Sequence, residues 1–452
     1  MLIDAHVPST SRGNRIMLTI LAVTALSLQL IAPYIVWPNR WNVPTHIAAG
    51  FCITAYVIPG LFTDVWEKFP QQTVNFFIEI NILGAFALCA GVYLGNFFAA
   101  RPATGEIAHN KRPYSTNIFR KNSALLIKRV IIIVGPCIIG LCLAYWIMGF
   151  IPMFAEDPFS AKQFKGVYRD PYYRVAYLFR FCFSIIQASI PLLLAIGWYK
   201  RSPFLVAMAI AAFLVIFISL ARGATAAGIL FFLGIVAANS RNGLKWYIPL
   251  VFFIFPFGSV FYYVLGQVLQ VQSLQSGYVI ESFSEFVSSG APDIWDQLTW
   301  LHGFVQGDFF SYGRTIYGGL IPGNYPWNPS VWTITYNDVG ADVSELVTGG
   351  LRLTAAEWGY ANFGWFGVVI VPFLSGLFNG AMLNKLKTLL PRLTVLQAAS
   401  ALIVYSTLGV QIVQFYFLSI HSLPAIAAAL YFWRANIIKN NRNIRPSQRQ
   451  FV

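Results

Sequence analysis

The chain has 452 residues, of which 57% are hydrophobic, 16% aromatic and only 11% charged, with a mean hydropathy of +0.61 and a formal net charge of +14. This composition excludes an ordinary soluble domain and points to a polytopic membrane protein. The positive charge is gathered between apolar runs, which marks cytoplasmic loops rather than a nucleic-acid surface.

A run of about 20 apolar residues crosses roughly 30 Å of hydrocarbon as a helix, which satisfies its own backbone hydrogen bonds in lipid. Such runs predict an all-α polytopic protein with about eleven transmembrane helices, at 16–37, 45–63, 73–100, 130–153, 174–199, 203–220, 224–239, 247–270, 356–384, 393–417 and 419–434. The first lacks a small-residue cleavage site and reads as a retained helix rather than a signal peptide. The third carries Glu79, and an intramembrane carboxylate is expected either to pair with an arginine or to carry a proton; the pair is favoured. The segment 101–129 holds seven Lys and Arg residues. With Arg40, Lys200/Arg201, Arg241/Lys245, Lys385/Lys387/Arg392 and the tail, the inner loops account for 20 of the 31 cationic residues. The N-terminus is then outside and the C-terminus inside. All five cysteines fall within spans, which argues against a disulfide framework.

These boundaries give helices one to eight in 1–270, one long and partly helical outer loop in 271–355, the last three helices in 356–434 and a basic tail in 435–452. The stretch 271–364 holds nine of the seventeen carboxylates but only two cationic residues, Arg314 and Arg352. So polar a stretch is expected to lie outside the bilayer and to hold the chemistry. No Walker loop, G-x-G-x-x-G, H-E-x-x-H or paired C-x-x-C occurs, and the first outer loop has no D-x-D for a divalent-metal sugar-nucleotide mechanism. Nor is there an inverted repeat of broken helices of the kind many secondary transporters show.

The outer ends of the spans are cationic, with Lys162, Lys165, Arg169, Arg174, Arg180, Arg222, Arg314 and Arg352. Arginine grips phosphate oxygens through a fixed fork, so this set suits a lipid diphosphate. Arg222 interrupts an apolar run in SLARG and needs a partner or a task; a snorkelling interfacial role is the plain alternative. Thr354-Ala-Ala-Glu357 has the form of a capping box that starts the ninth span, and the same helix start could hold an anion. Glu357 is thus a candidate base or orienter as well as a cap. His302 is a candidate for taking a proton from a sugar hydroxyl, against a structural role, and His421 is a weaker site candidate. The outer aromatic residues, with Tyr317, Trp327, Asn328, Trp332 and Asp338 foremost, suggest a carbohydrate groove, although Trp and Tyr also form belts at membrane interfaces.

Several motifs together resemble the oligosaccharide repeat-unit polymerases, the O-antigen polymerase family. They are the short outer loop after GFIPMF, the arginine in SLARG, GGLIPGNYPWNP in the long outer loop, and LRLTAAEWGYANFGWFGVVIVPFLSG entering a span. Asn328 departs from the pattern, since members often place a basic residue before that proline. The resemblance implies a GT-C-like glycosyltransferase in the bacterial inner membrane, with its active site on the periplasmic face. It would act without metal or other cofactor on undecaprenyl-diphosphate-linked oligosaccharide, moving the growing glycan to the non-reducing end of a new lipid-linked repeat for O-antigen, capsule or exopolysaccharide. It assigns catalysis to Arg222, Arg352, Glu357 and His302, and diphosphate binding to Arg174, Arg180, Arg222, Arg314 and Arg352. The partners implied are membrane lipid, a chain-length regulator and a flippase, but no nucleic acid. An O-antigen ligase or a transporter of lipid-linked sugars is the alternative.

Overall fold

The computed structural model describes residues 12–100, 116–268, 270, 278, 280–307, 310–322, 325–336, 350–409 and 413–437. Among the described residues the structure is helical, with no strand. The principal helices are α1 (Arg12–Ile31), α2 (Val43–Cys52), α3 (Gln71–Ala99), α4 (Thr116–Met148), α5 (Ala176–Lys200), α6 (Pro203–Phe217), α7 (Arg222–Asn239), α8 (Gly243–Val268), α9 (Asp293–Gly307), α10 (Ala355–Leu389), α11 (Val395–Leu408) and α12 (Leu423–Ile437). A π-helical turn, Ile53–Val57, carries α2 on into Ile58–Phe62. Seven helical stretches are long and apolar enough to cross a membrane, and α6, α11 and the body of α7 are shorter apolar helices. The chain is therefore a helical, multi-pass membrane protein. All five cysteines are free thiols.

The bundle has a basic end and a loop end. At the basic end the Lys387 ammonium donates to the Val36 carbonyl at 2.9 Å and to Asn96 Oδ1 at 3.2 Å, tying the tails of α3 and α10 to the turn after α1. Arg129 donates to the Tyr431 carbonyl at 2.6 Å, joining the first half of α4 to the second half of α12. At the other end Met153 N bonds to Ile218 O at 3.1 Å and Ile420 N to Gly319 O at 2.9 Å, joining the connecting segments in two pairs.

The apolar interior divides into two clusters. One gathers α4 to α7, α11, α12 and the far part of α10; the other gathers α1 to α3, α9 and the near part of α10. The helices α3 and α10 approach backbone to backbone. A Cβ on Gly91 would lie 2.2 Å from Phe373 O, one on Gly95 2.0 Å from Leu377 O, and one on Gly380 2.1 Å from Val92 O. Small residues let helices come this close without help from the hydrophobic effect, which is absent between helices in lipid.

Two interruptions depart from the predicted spans. The ninth span is a hairpin rather than one rod, because Phe363 (φ −140°, ψ 18°) and Gly364 (φ 61°, ψ −148°) break α10. Gly364 occupies a region open essentially only to glycine. Past this turn the chain doubles back, so that a Cβ on Gly359 would lie 2.2 Å from Gly367 O, although eight residues of straight helix would separate them by about 12 Å. Ala356 and Pro372 both abut Gly84 of α3, so the chain enters Ala355 about 12 Å below the turn, eight residues further along the outgoing helix. The end of the long loop is thus inserted among the helices rather than resting on their ends. Likewise the α-helical part of α11 ends at Leu408, Gly409 and Val413 are π-helical, and short turns at Phe415–Phe417 and Ile420–Ser422 lead into α12.

Candidate functional site

The inserted segment is held by polar side chains that a lipid-facing surface would not tolerate. Thr354 and Glu357 form the predicted capping box: Thr354 N donates to Glu357 Oε2 at 2.7 Å, and Glu357 N donates to Thr354 Oγ1 at 3.2 Å. Thr354 Oγ1 also donates to Asn81 Oδ1 at 2.9 Å, and Gln29 donates to the same oxygen at 2.8 Å. Glu357 is fully buried, with Asn81 beside it, and its Oε1 makes no hydrogen bond of ordinary geometry among the described residues. Tyr56 of the α2 continuation stands within electrostatic reach of Glu357, Asp293 and Gln297. Irregular backbone at membrane depth is stable only when enclosed by protein or facing a wet cavity, and this network provides the enclosure.

Arg352 leads into the segment. Its Nη1 meets Asp293 Oδ1 at 3.2 Å and Oδ2 at 3.4 Å, and Gln297 Nε2 donates to its carbonyl at 3.0 Å. The Asp293 side chain is 3% exposed, whereas that of Arg352 is 59% exposed. One edge of the guanidinium is braced while the rest stays open. Asp293 sits at the first residue of α9, where the helix dipole favours a carboxylate. Burial pushes its pKa up and Arg352 pulls it back. Asp296, one turn on, is pushed up to about 7 by burial first and then by Asp293.

A second arginine stands at the mouth of another cavity. Arg180 donates through Nε to the Tyr172 hydroxyl and through Nη1 to His421 Nε2, which fixes that imidazole nitrogen as an acceptor. Tyr172 stacks on Phe164 with centroids 3.7 Å apart and is fully buried. The cavity, about 550 Å³, runs between α5, α7, α11 and α12 with apolar walls such as Phe183, Pro191 and Phe231. A polar cavity of about 270 Å³ lies between α1, α2 and the inserted segment and is lined by Gln29, Tyr56 and Leu353 to Ala355. Ser406 and Gln414 line both cavities, so the interrupted end of α11 is the partition between them.

The other expected site residues fall as follows. Arg222 is the first residue of α7, and Ala227 and Gly228 of that helix line the larger cavity; the Arg222 side chain is not among those described. Arg174 is exposed just before α5, six residues ahead of Arg180. Arg314 lies over the Trp327 ring, 4.7 Å from its centre, in a segment pinned by Asn362, whose Oδ1 accepts from Ser311 at 2.5 Å, Thr315 at 2.9 Å and Gly313 N at 3.1 Å. Tyr317 is exposed. Asn328 caps a single turn, its carbonyl accepting from Val331 N and Trp332 N. Trp332 is 5% exposed inside a cluster with Trp300, Phe304, Tyr336 and Trp358, which leaves it no ring face for a sugar. Asp338 lies outside the described residues. His302 has Thr73 Oγ1 at 3.2 Å from Nδ1 and Gln306 Nε2 at 3.1 Å from Nε2, nine residues and about 13 Å along α9 from Asp293. The structure therefore does not bring it to Arg352. Glu79 is exposed on α3 with no ion pair among the described residues, which overturns the expected arginine pair.

Asp293, Gln297, Tyr56, Asn81 and Tyr172 escaped the sequence reading. Asn81 and Gln29 did carry a signal, as amides inside apolar runs. Asp293 was one carboxylate among nine, and nothing in its neighbours singles it out. Comparison with family models, curated proteins and solved structures finds no match for the chain.

Proposed function

We propose that this protein is a polysaccharide polymerase of the bacterial inner membrane, with eleven membrane crossings and a GT-C-like plan. It transfers a glycan from undecaprenyl diphosphate to the non-reducing end of a new lipid-linked repeat. The observation that carries this reading is the pairing of two held guanidinium groups, Arg180 and Arg352, with a partitioned cavity system that has both apolar and polar walls. A polyprenyl diphosphate needs such a combination, with arginine forks for the phosphates and an apolar channel for the chain.

In the transfer, the bond from the anomeric carbon to the diphosphate oxygen breaks as an acceptor hydroxyl oxygen bonds to that carbon. The diphosphate leaves with the electron pair, and the hydroxyl proton passes to a base. Arg352 would steady the departing charge, and Asp293 would hold the fork in place. Charge that develops in the transition state is best met by groups already oriented for it. Glu357 would act first as a brace, since its cap fixes Thr354, two residues from Arg352.

The test is incubation of the purified protein with its lipid-linked repeat unit alone, with products separated on a gel. A ladder of spaced bands that persists in EDTA supports a metal-independent polymerase. A single transfer seen only when a second lipid acceptor is supplied supports a ligase. A transporter of lipid-linked sugar is the second reading, and the break at Phe363–Gly364 favours it, because discontinuous helices at cavities are common in transporters. Movement of a labelled lipid-linked sugar across proteoliposomes without any ladder would establish that reading.

A further inference from the structure

A third cavity, of about 410 Å³, lies at the loop end beneath the short helix Phe283–Gly290, against the first turn of α9 and the turn before α3. Its size is that of a small-molecule site. Its floor is apolar, with Pro59, Val65 and Ile294, and Trp295, 44% exposed, enters the wall with Phe69 packed against its ring at 5.0 Å and the Lys68 ammonium 5.9 Å from its centre. The polar lining has an unusual balance. The hydroxyls that reach it have already spent their protons on their own backbone: Thr63 donates to Pro59 O at 2.6 Å, Ser288 to Ser284 O at 2.7 Å and Ser289 to Glu285 O at 2.8 Å. What remains toward the cavity is mostly acceptor. Asp64, Glu285 and Asp296 contribute three carboxylates against the single ammonium of Lys68, a formal balance of −2, and Lys68 is engaged by Asp64 at 3.1 Å. The Asp296 carboxylate makes no hydrogen bond among the described residues, and Arg352 and Asp293 both lie within its electrostatic reach.

A ligand here must bring the hydrogens, carry no negative charge and offer an apolar face to an indole. We propose that this cavity is a saccharide subsite for a neutral or amine-bearing sugar, stacked on Trp295 with its hydroxyls or ammonium donating to Asp296 and Glu285, and that it rejects uronic acids and phosphates. The identity of that sugar as part of a lipid-linked repeat rests on the function proposed above, for the cavity adjoins the carboxylate that braces Arg352. The recognition chemistry does not depend on that reading. Aromatic stacking contributes area and orientation, and carboxylates accept strongly from hydroxyls in a partly desolvated site.

The experiment is saturation-transfer NMR on the full-length protein in nanodiscs, with maltotriose, chitobiose, a glucosamine dimer and digalacturonate as probes. Transfer to at least one neutral or amine-bearing probe, with none to digalacturonate, is expected. Trp295→Ala should weaken that binding at least tenfold, and Asp296→Asn should weaken the glucosamine dimer more than maltotriose. Asp296→Asn with Glu285→Gln should admit digalacturonate, a gain that a misfolded protein would not show. Transfer to digalacturonate alone, transfer to none of the probes, or binding unchanged in Trp295→Ala at an unaltered melting temperature would overturn the proposal. Saccharide binding by a protein that yields no product ladder would leave the subsite standing and remove the polymerase. A product ladder from a wild-type protein that binds none of the probes would do the reverse.

Discussion

Arg352 and Arg180 are held in opposite ways. Arg352 is braced by a carboxylate, Asp293, so the pair is close to neutral. Arg180 is braced by the hydroxyl of Tyr172 and the imidazole of His421, neither of which cancels its charge. The first arrangement trades anion affinity for a fixed position, and the second sets the guanidinium at the mouth of an apolar cavity between two neutral groups. The difference suits a diphosphate captured at Arg180 and a reacting one steadied at Arg352. It also makes the two arginines unequal under mutation.

The largest effect is expected at Arg352. Arg352→Ala should abolish product and lower the melting temperature, because Asp293 is left buried and unpaired at a cost of about 1–3 kcal/mol. Adding Asp293→Asn should restore much of the stability and none of the activity; if activity returned, the fork would not be needed. Arg180→Ala should instead raise KM at least tenfold with little change in melting temperature, and equal losses of kcat at both positions would erase the contrast drawn here.

Next comes the hinge of the inserted segment. Gly364→Ala must adopt φ 61°, ψ −148°, which costs on the order of 1–3 kcal/mol. The expected result is a lower melting temperature together with lost activity. Calorimetry showing no change would mean that the hairpin turn is not there.

Glu357→Gln sharpens the comparison more gently. Glutamine completes a capping box as glutamate does, so stability should shift by less than about 0.5 kcal/mol. Lost activity at unchanged stability would give the carboxylate a role in proton transfer, and retained activity would leave it as a brace.

The smallest effect is on pH dependence. The Asp296 pKa is raised to about 7 from an ordinary value of 3.8, so the folded state holds a proton that the unfolded state releases. Stability from this group is therefore present below pH 4 and declines as pH rises toward 7. Asp296→Asn should flatten the fall in melting temperature between pH 4 and pH 7, and an unaltered slope would assign that dependence to Asp293.

The helical membrane character and most helix positions were legible in the sequence, because a bilayer imposes a length and a composition on whatever crosses it. The Thr354–Glu357 capping box was legible for a similar reason, since both partners lie within one turn. The hairpin within α10 was not, although Asn362-Phe363-Gly364 marks the place. Apolar residues continue straight through the break, and hydropathy registers composition without direction. Nor could the carbohydrate reading of the aromatic residues separate Trp332, buried in a ring cluster, from Trp295, which faces a cavity. The two sit in equally aromatic company along the chain.

What the amino-acid sequence determined by itself is local or one-dimensional: the apolar runs, the basic end of the bundle, the cap, and the concentration of arginines and carboxylates near one face. Which arginine meets which partner was decided only in three dimensions. Asp293 and Arg352 are 59 residues apart, and Arg180 and His421 are 241 apart. The first pair forms because glycine-lined contact between α3 and α10 and the turn at Gly364 carry the end of the loop into the bundle, and the second because the turn before α12 packs against α5. Packing of that kind depends on shape across distant helices, and no window of sequence contains it.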